Sequence, residues 1–473
     1  MVDYLFFYDM IVMAREVGNI LYDLVLKNGL VVDPGNRILS ELRVGVDGGR
    51  IVRVTAEPIK GRRELDCGGL AVAPGFVDIH AHEDKLTADG DIEPVITQRL
   101  LRQGVTTFIG GQCGIGPEDE DIYRQAYDQT GQPVNCALLT AHGSLRELAG
   151  AEDKYAPVSD GQLGIMERAL RARLAAGSYG LSFGIRYIPG MDQRELLALT
   201  RVVRLYGGIV AAHIRDDCAA APAAAAEFLE AGRQTGARLQ ISHIGSMAGF
   251  GQMGRVLALI DDAAAEGVDV MVDCYPYNAF CTYIGETTYD GDFLANYGND
   301  ITKIEITDGE YRGRIPSLEV FQRIRREHPE YLTVAHVMLP GEIDMALLHP
   351  RVLLGSDGIL VNGAGHPRAA GAFPRFIRQY VTERRLLSLY QAIEKMSWLA
   401  ANRLGLPKGR LSPGWDADLV VFDPARIRDN ATYSEPGLLS AGFKYIILGG
   451  KIAVEDDVTI DGRLGRALLR QRY

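Results

Sequence analysis

Apolar residues follow different rhythms along this chain. Over residues 22 to 70 they come in short runs, Leu24-Val25-Leu26, Leu30-Val31-Val32, Leu42-Arg43-Val44-Gly45-Val46 and Ile51-Val52-Arg53-Val54, parted by Asn, Asp, Gly and Pro. Turn residues at that spacing punctuate hairpins, so the region predicts short β-strands. The same texture returns in Asp418-Leu419-Val420-Val421-Phe422 and from Tyr445 to Ala453. Two β-rich ends around a different middle predict one small β-sandwich completed by both, from residues 22–72 and 412–473.

Between them, apolar strands alternate with helical stretches rich in Ala, Leu, Arg and Glu. The clearest helix runs from Pro222 to Glu230, where an alanine run supplies helical propensity behind a proline suited to the first helical position. Candidate strands end near His80, Gly110, His142, Gly184, His213, His243, Tyr275, His336 and Asp357, nine candidates for the eight places of a closed parallel α/β barrel over residues 73–411. Tyr331 to His336 fits least well, because residues 286–316 before it read as an insertion rich in Gly, Asp and Tyr. In such a barrel the C-terminal ends of all strands share one rim, so residues distant in sequence meet there.

A chain of 473 residues exceeds one ordinary core, which agrees with a large domain and a smaller one. Apolar residues at 47% and charged ones at 23% describe a globular protein. The net charge of -11 argues against a nucleic-acid partner, which would favour a basic face. Six cysteines without a repeating spacing fit a reducing compartment, so a cytoplasmic location is expected. Residues 1–21 read as an N-terminal extension. Tyr4 to Met13 is broken by Asp9 and lacks a basic leader, so it reads as neither signal peptide nor membrane span. No membrane partner is expected. The expected partner is a small molecule, and the oligomeric state is left open.

The stretch Pro74-Gly75-Phe76-Val77-Asp78-Ile79-His80-Ala81-His82 places two imidazoles two residues apart at the end of an apolar run. Side chains alternate along a strand, so both point the same way and make half of a metal site. Of nine histidines, His80, His82, His142, His213, His243 and His336 sit at or near the ends of apolar runs. A lone histidine there is more often a hydrogen-bonded core residue, but several aimed at one rim are harder to explain that way. Cys113, in Gly110-Gly111-Gln112-Cys113-Gly114, is either a thiolate ligand or a small buried residue. Asp357, in Gly355-Ser356-Asp357-Gly358, could bind metal, move a proton or cap the following turn.

Together with Ala141-His142-Gly143-Ser144-Leu145-Arg146, Ala212-His213-Ile214-Arg215-Asp216-Asp217, Ser242-His243, Tyr275-Pro276-Tyr277 and His366-Pro367-Arg368, these segments carry a family likeness. In order and spacing they resemble the N-acyl-D-amino-acid deacylases, or D-aminoacylases, of the amidohydrolase superfamily, from about residue 22 to the end. The resemblance implies a (β/α)8 TIM-like barrel with a small β-sandwich domain. It implies one Zn2+ held by Cys113, His213 and His243, and a second, weaker position formed by His80, His82, Cys113 and Asp357. It further implies zinc-dependent hydrolysis of N-acyl-D-amino acids to a carboxylic acid and a free D-amino acid, with Asp357 as the catalytic proton carrier. Arg368 matches the arginine that pairs with the substrate's α-carboxylate, with Tyr275 adding a hydrogen bond.

Many superfamily members bridge two metals with a carbamylated lysine from the fourth strand. This chain has no lysine between Lys154 and Lys303, and Cys113 is the natural substitute. Many relatives also carry a lysine shortly after the His243 position, where this chain has Ile244-Gly245-Ser246. Arg186 is the candidate to replace that charge, and the preferred acyl group and side chain stay open. One alternative is a cyclic-amide hydrolase of the hydantoinase or dihydroorotase kind, which the absent fourth-strand lysine disfavours. A non-catalytic amidohydrolase-fold protein is disfavoured by the full set of ligand types.

Overall fold

The computed structural model describes residues 21–471. The N-terminal extension expected over residues 1–21 therefore lies outside the described residues, except for Leu21, where the first strand begins.

Eight parallel strands carry the middle of the chain. They are Phe76–Asp78, Val105–Gly110, Asn135–Leu138 running on through Thr140–Ala141, Gly180–Gly184, Ile209–His213, Arg238–Ile241, Val270–Cys274 and Val352–Leu354. Each pairs with its neighbour in this order, and the two hydrogen-bonded groups meet at Leu139, inside the third strand. Beyond the eighth strand, the Asp357 N–H donates to the His80 carbonyl at 2.7 Å and the Ser356 N–H to Asp78 Oδ1 at 2.9 Å. The last strand thus returns to the first. Every residue of these strands except Arg238 and Met271 is buried, which is why they read as near-continuous apolar runs.

Helices supply the crossovers. In Ala221–Thr235, Ala224, Ala225, Phe228 and Leu229 form the buried stripe, and Gly236 ends the helix at φ +65°, two residues before the sixth strand. Burying Phe228 and Leu229 contributes about 1.5–3 kcal/mol each. No helix among the described residues is long and apolar enough to cross a membrane.

The ninth candidate strand lies elsewhere. Leu332–Ala335 pairs antiparallel with Phe280–Tyr283 and with Ile304–Ile306 in a separate four-stranded sheet. That sheet lies within the long connection between the seventh and eighth parallel strands, and it takes His336 to Glu305, 3.1 Å away, rather than to the other histidines.

The β-rich ends meet in one sheet. Strands between Leu21 and Pro74 join those between Leu419 and Thr459 in one nine-stranded sheet, and the seam is the antiparallel pair Ala71–Pro74 with Leu419–Phe422. Leu26, Val44, Val72, Leu419, Val421 and Ile447 share one buried cluster drawn from both ends. The final segment then leaves this sheet, because Ala467–Leu468 pairs parallel with the third strand at Cys136 and Ala137.

Candidate metal centre

Four side chains converge where the parallel strands end. One ligand atom from each of His80, Cys113, His243 and Asp357 lies within 4.8 Å of all the others, and all four residues are buried. Cys113 Sγ is 3.4 Å from His80 Nε2 and 3.2 Å from His243 Nε2. Asp357 Oδ1 lies 3.6 Å from His80 Nε2 and 3.2 Å from His82 Nε2. The His213 ring sits against His243 with centroids 4.5 Å apart, and neither of its nitrogens has a hydrogen-bond partner although the residue is buried.

The backbone at these positions is unusual. Cys113, His243 and Asp357 have φ of 57°, 31° and 50°, a left-handed conformation that costs a non-glycine residue about 1–2 kcal/mol. Neighbouring groups hold it in place. The Gly114 N–H donates to Ser182 Oγ at 3.0 Å, Gly143 N–H to the Gly114 carbonyl at 2.9 Å, and Gly111 N–H to Glu83 Oε2 at 2.7 Å. A Cβ on Gly114 would fall 2.6 Å from the Gly184 nitrogen, so only glycine lets the cysteine loop approach the fourth strand.

The imidazoles are oriented from behind. Asp273 Oδ1 accepts from the His243 N–H at 2.7 Å and lies 3.1 Å from His80 Nδ1, while its Oδ2 accepts from Gln240 Nε2 at 2.9 Å. Ser246 Oγ meets His243 Nδ1 at 2.9 Å. With the Nδ1 atoms of His80 and His243 facing such groups, their Nε2 atoms face Cys113, the arrangement by which metal-binding histidines are usually fixed.

Charge follows from this packing. Burial pushes the Cys113 thiol up, but the His243 and His80 charges outweigh it and hold the thiol well below its ordinary value. Burial and the neighbouring His243 lower His213 to about 4, which keeps that imidazole neutral and able to donate a lone pair. Burial also opposes ionisation of Asp357, yet Arg368 and His243 hold it well below the usual carboxylate range. Burial disfavours protonated His82, but its bond to Asp357 and the nearby Cys113 lift it to about 9.

Arg368 Nη2 contacts Asp357 Oδ2 at 2.9 Å, and its guanidinium lies 4.5 Å from the Tyr275 ring centre. Arg368 is 2% exposed, and its Nε and Nη1, like the Tyr275 hydroxyl, have no hydrogen-bond partner. A cavity of about 1160 Å³ opens above this floor, reached by His82, Cys113, His213, His243, Asp357 and Arg368. Arg186 is not among its walls. Its guanidinium is held by Asp216 Oδ1 at 3.1 Å and the Thr288 carbonyl at 3.3 Å. Gly245 also faces away: a Cβ there would meet Ile343, Met338 and Cys274 at 2.9–3.1 Å, whereas Ser246 and Met247 line the cavity. His142 lies apart from the cluster, its Nε2 2.7 Å from buried Glu195 Oε1.

Sequence reasoning missed Asp273, Ser246, Glu83, Ser182 and Tyr187. The available signal for Asp273 was a lone carboxylate inside the apolar strand Val270–Cys274. Tyr187, whose ring centre is 4.6 Å from that of His213, follows the fourth strand in the segment where Arg186 was singled out instead.

Residues 96–454 match the family model described as Amidohydrolase family. The chain is 33% identical to the N-acyl-D-glutamate deacylase of Alcaligenes xylosoxydans xylosoxydans over 95% of this chain and 96% of that protein. It is 30% identical to the D-aminoacylase of the same organism, over 95% of this chain and 98% of that one. The crystal structure of N-acyl-D-glutamate deacylase from Bordetella bronchiseptica, complexed with zinc and a phosphonate inhibitor that mimics the tetrahedral intermediate, matches with a TM-score of 0.84 at 30% identity. That match covers 95% of this chain and 100% of the other.

Proposed function

We propose that this chain, which belongs to the amidohydrolase family, is a metal-dependent hydrolase cleaving N-acyl-D-amino acids to a carboxylic acid and a free D-amino acid. The observation that carries this reading is the buried set of thiol, imidazoles and carboxylate at the floor of a cavity, in a chain whose relatives are deacylases of that kind. We read the eight parallel strands as staves of a closed (β/α)8 barrel over residues 73–411, because their pairing follows chain order and the last meets the first through Asp357 and His80. The nine-stranded sheet from residues 22–72 and 412–473 is then the smaller β domain.

The donor set fits zinc, which takes sulfur, imidazole and carboxylate ligands. His213, buried with both nitrogens unpartnered, is the orphaned group such an ion would satisfy. Cys113, His213 and His243 would hold one ion tightly, and His80, His82, Cys113 and Asp357 a second one more weakly. Bound there, zinc supplies a Lewis acid that polarises the amide carbonyl and lowers the pKa of water.

Asp357 takes the proton of the attacking water and delivers it to the leaving nitrogen. Arg368 keeps Nη2 on Asp357 and offers its free Nε and Nη1 to the substrate's α-carboxylate, while Tyr275, which is not among the cavity walls, backs the guanidinium with its ring. Leaving such buried donors unmet costs about 1–3 kcal/mol each, so a carboxylate that satisfies them is bound in one orientation. Arg186 serves by fixing the turn at Thr287–Tyr289 rather than by touching substrate.

The test is turnover of N-acetyl-D- and N-acetyl-L-amino acids beside hydantoins and dihydroorotate, before and after chelation. Hydrolysis of the D series, lost on chelation and restored by zinc, is expected. Turnover of the cyclic amides alone would replace this reading with a cyclic-amide hydrolase. A preparation inert to every substrate after zinc is restored would make the protein non-catalytic.

A further inference from the structure

The side chain of a D-amino acid bound with its carboxylate on Arg368 must occupy the remainder of the 1160 Å³ cavity, so the walls decide which side chains are accepted. Those walls are acidic: nine carboxyl side chains line the space, against two cations, Lys85 and Arg368. Most of these carboxylates already have work. Asp357 is paired with Arg368, Glu83 receives the Gly111 N–H, Asp84 receives the Ile96 and Thr97 N–H groups, and Asp217 receives the Tyr297 hydroxyl. Glu93, Glu118, Asp119 and Glu330 are exposed at the mouth. Lys85, the cation not bound to Asp357, is exposed there too.

Glu286 differs from all of these. It is half-buried, lines the cavity and forms no ion pair among the described residues. The two cations near it do not neutralise it by contact. Arg325 Nη2 donates to the Glu286 backbone carbonyl at 3.0 Å and is paired with Asp290 at 2.5 Å, and Lys154 Nζ stands 5.7 Å from the Tyr155 ring centre. Its position is fixed, because Thr287 Oγ1 donates to the Arg186 carbonyl at 2.7 Å and Arg186 returns a bond to Thr288. That clamp sets Glu286 beside the turn carrying Tyr187, whose ring packs on His213. Tyr283 and Phe280 line the same cavity.

We propose that Glu286, in a cavity also lined by Tyr187, Phe280 and Tyr283, makes this a deacylase of N-acyl-D-amino acids bearing a cationic side chain, an ammonium or guanidinium on an aliphatic stem. The inference rests on the reading above and names its substrate class. A partly desolvated carboxylate in a cavity that also has aromatic walls is the chemistry that recognises such a cation. The same wall repels a second substrate carboxylate, so the preference differs from what the name of the N-acyl-D-glutamate relative would suggest.

The experiment compares kcat/KM of the zinc-loaded enzyme for N-acetyl-D-lysine, its uncharged counterpart N-acetyl-D-norleucine, and N-acetyl-D-glutamate. A lysine-to-norleucine ratio of about tenfold or more is expected, carried mainly by KM, with the glutamate derivative poorest. Glu286→Gln should bring that ratio towards one, and Glu286→Lys should move the preference to the glutamate derivative. Norleucine turned over as well as lysine, glutamate preferred by the native enzyme, or a ratio unmoved in Glu286→Gln would each overturn the inference while leaving the deacylase reading intact. Failure of all three substrates would remove both.

Discussion

Cys113, His243 and Asp357 hold left-handed backbone, and each does so next to a hydrogen bond that another strand or loop supplies. Strain of this kind persists where the surroundings over-determine it, and here it turns side chains at strand ends over the shared floor. Asparagine tolerates that conformation as aspartate does, so Asp357→Asn should fold and retain the tightly held metal while losing the proton carrier. The expected result is a fall in kcat of about 10²–10⁴-fold, read by steady-state kinetics with metal content measured on the same sample. Unchanged kcat would take Asp357 out of the chemistry. Ser246→Ala removes the contact to His243 Nδ1 and should weaken zinc by about 10–100-fold in a competition with a chelating dye. The four side chains that converge here were legible in the sequence because each closes an apolar run. Asp273, Ser246 and Glu83 were not, because what a side chain orients depends on which strand lies beside it, and spacing along one chain does not encode that.

The same limit shaped the reading of strands. Apolar run length and turn punctuation located the parallel strands and the β-rich ends, but Tyr331 to His336 carries the same local pattern while pairing with residues about fifty positions earlier. Local pattern gives a strand its existence, and partners decide which sheet it joins. Beside the seam of the two β-rich ends lies a buried ion cluster. Buried Lys408 Nζ contacts Asp416 Oδ2 at 2.7 Å and Asp418 Oδ2 at 2.5 Å, and Asp418 also receives Asn135 Nδ2 from the third parallel strand at 3.1 Å. Lys408→Met leaves Asp418 buried without its cation and should cost about 3–5 kcal/mol, measured by urea unfolding. Burial opposes the Lys408 charge, but the two aspartates outweigh it and raise its pKa above the ordinary value of 10.5. A raised folded value means the contribution is full below pH 10.5 and is lost as pH climbs through the folded pKa. The stability gap between native and variant proteins should therefore stay level from neutral pH to about 10 and narrow only above it. A gap that closes in the neutral range would show that burial outweighs the two aspartates and depresses the Lys408 pKa instead.

His80, Cys113, His243 and Asp357 stand at the ends of the first, second, sixth and eighth parallel strands, so an ion held there would tie together parts of the chain nearly 280 residues apart. Binding that favours the folded state stabilises it by mass action, by about 2.7 kcal/mol when free ligand is a hundred times its Kd. A thiol, a carboxylate and several imidazoles are buried together here, and an ion bound as proposed would offset the negative groups and give His213 a partner. Stripping the metal should lower Tm by several degrees, and Tm should then climb with the logarithm of added zinc while magnesium, which demands oxygen ligands, has no effect. Calorimetry on the chelated protein titrated with each ion makes the measurement. If zinc leaves the melting transition where it was, the buried thiol and imidazoles do not bind it, and both the hydrolytic reading and the side-chain preference assigned to Glu286 lose their foundation.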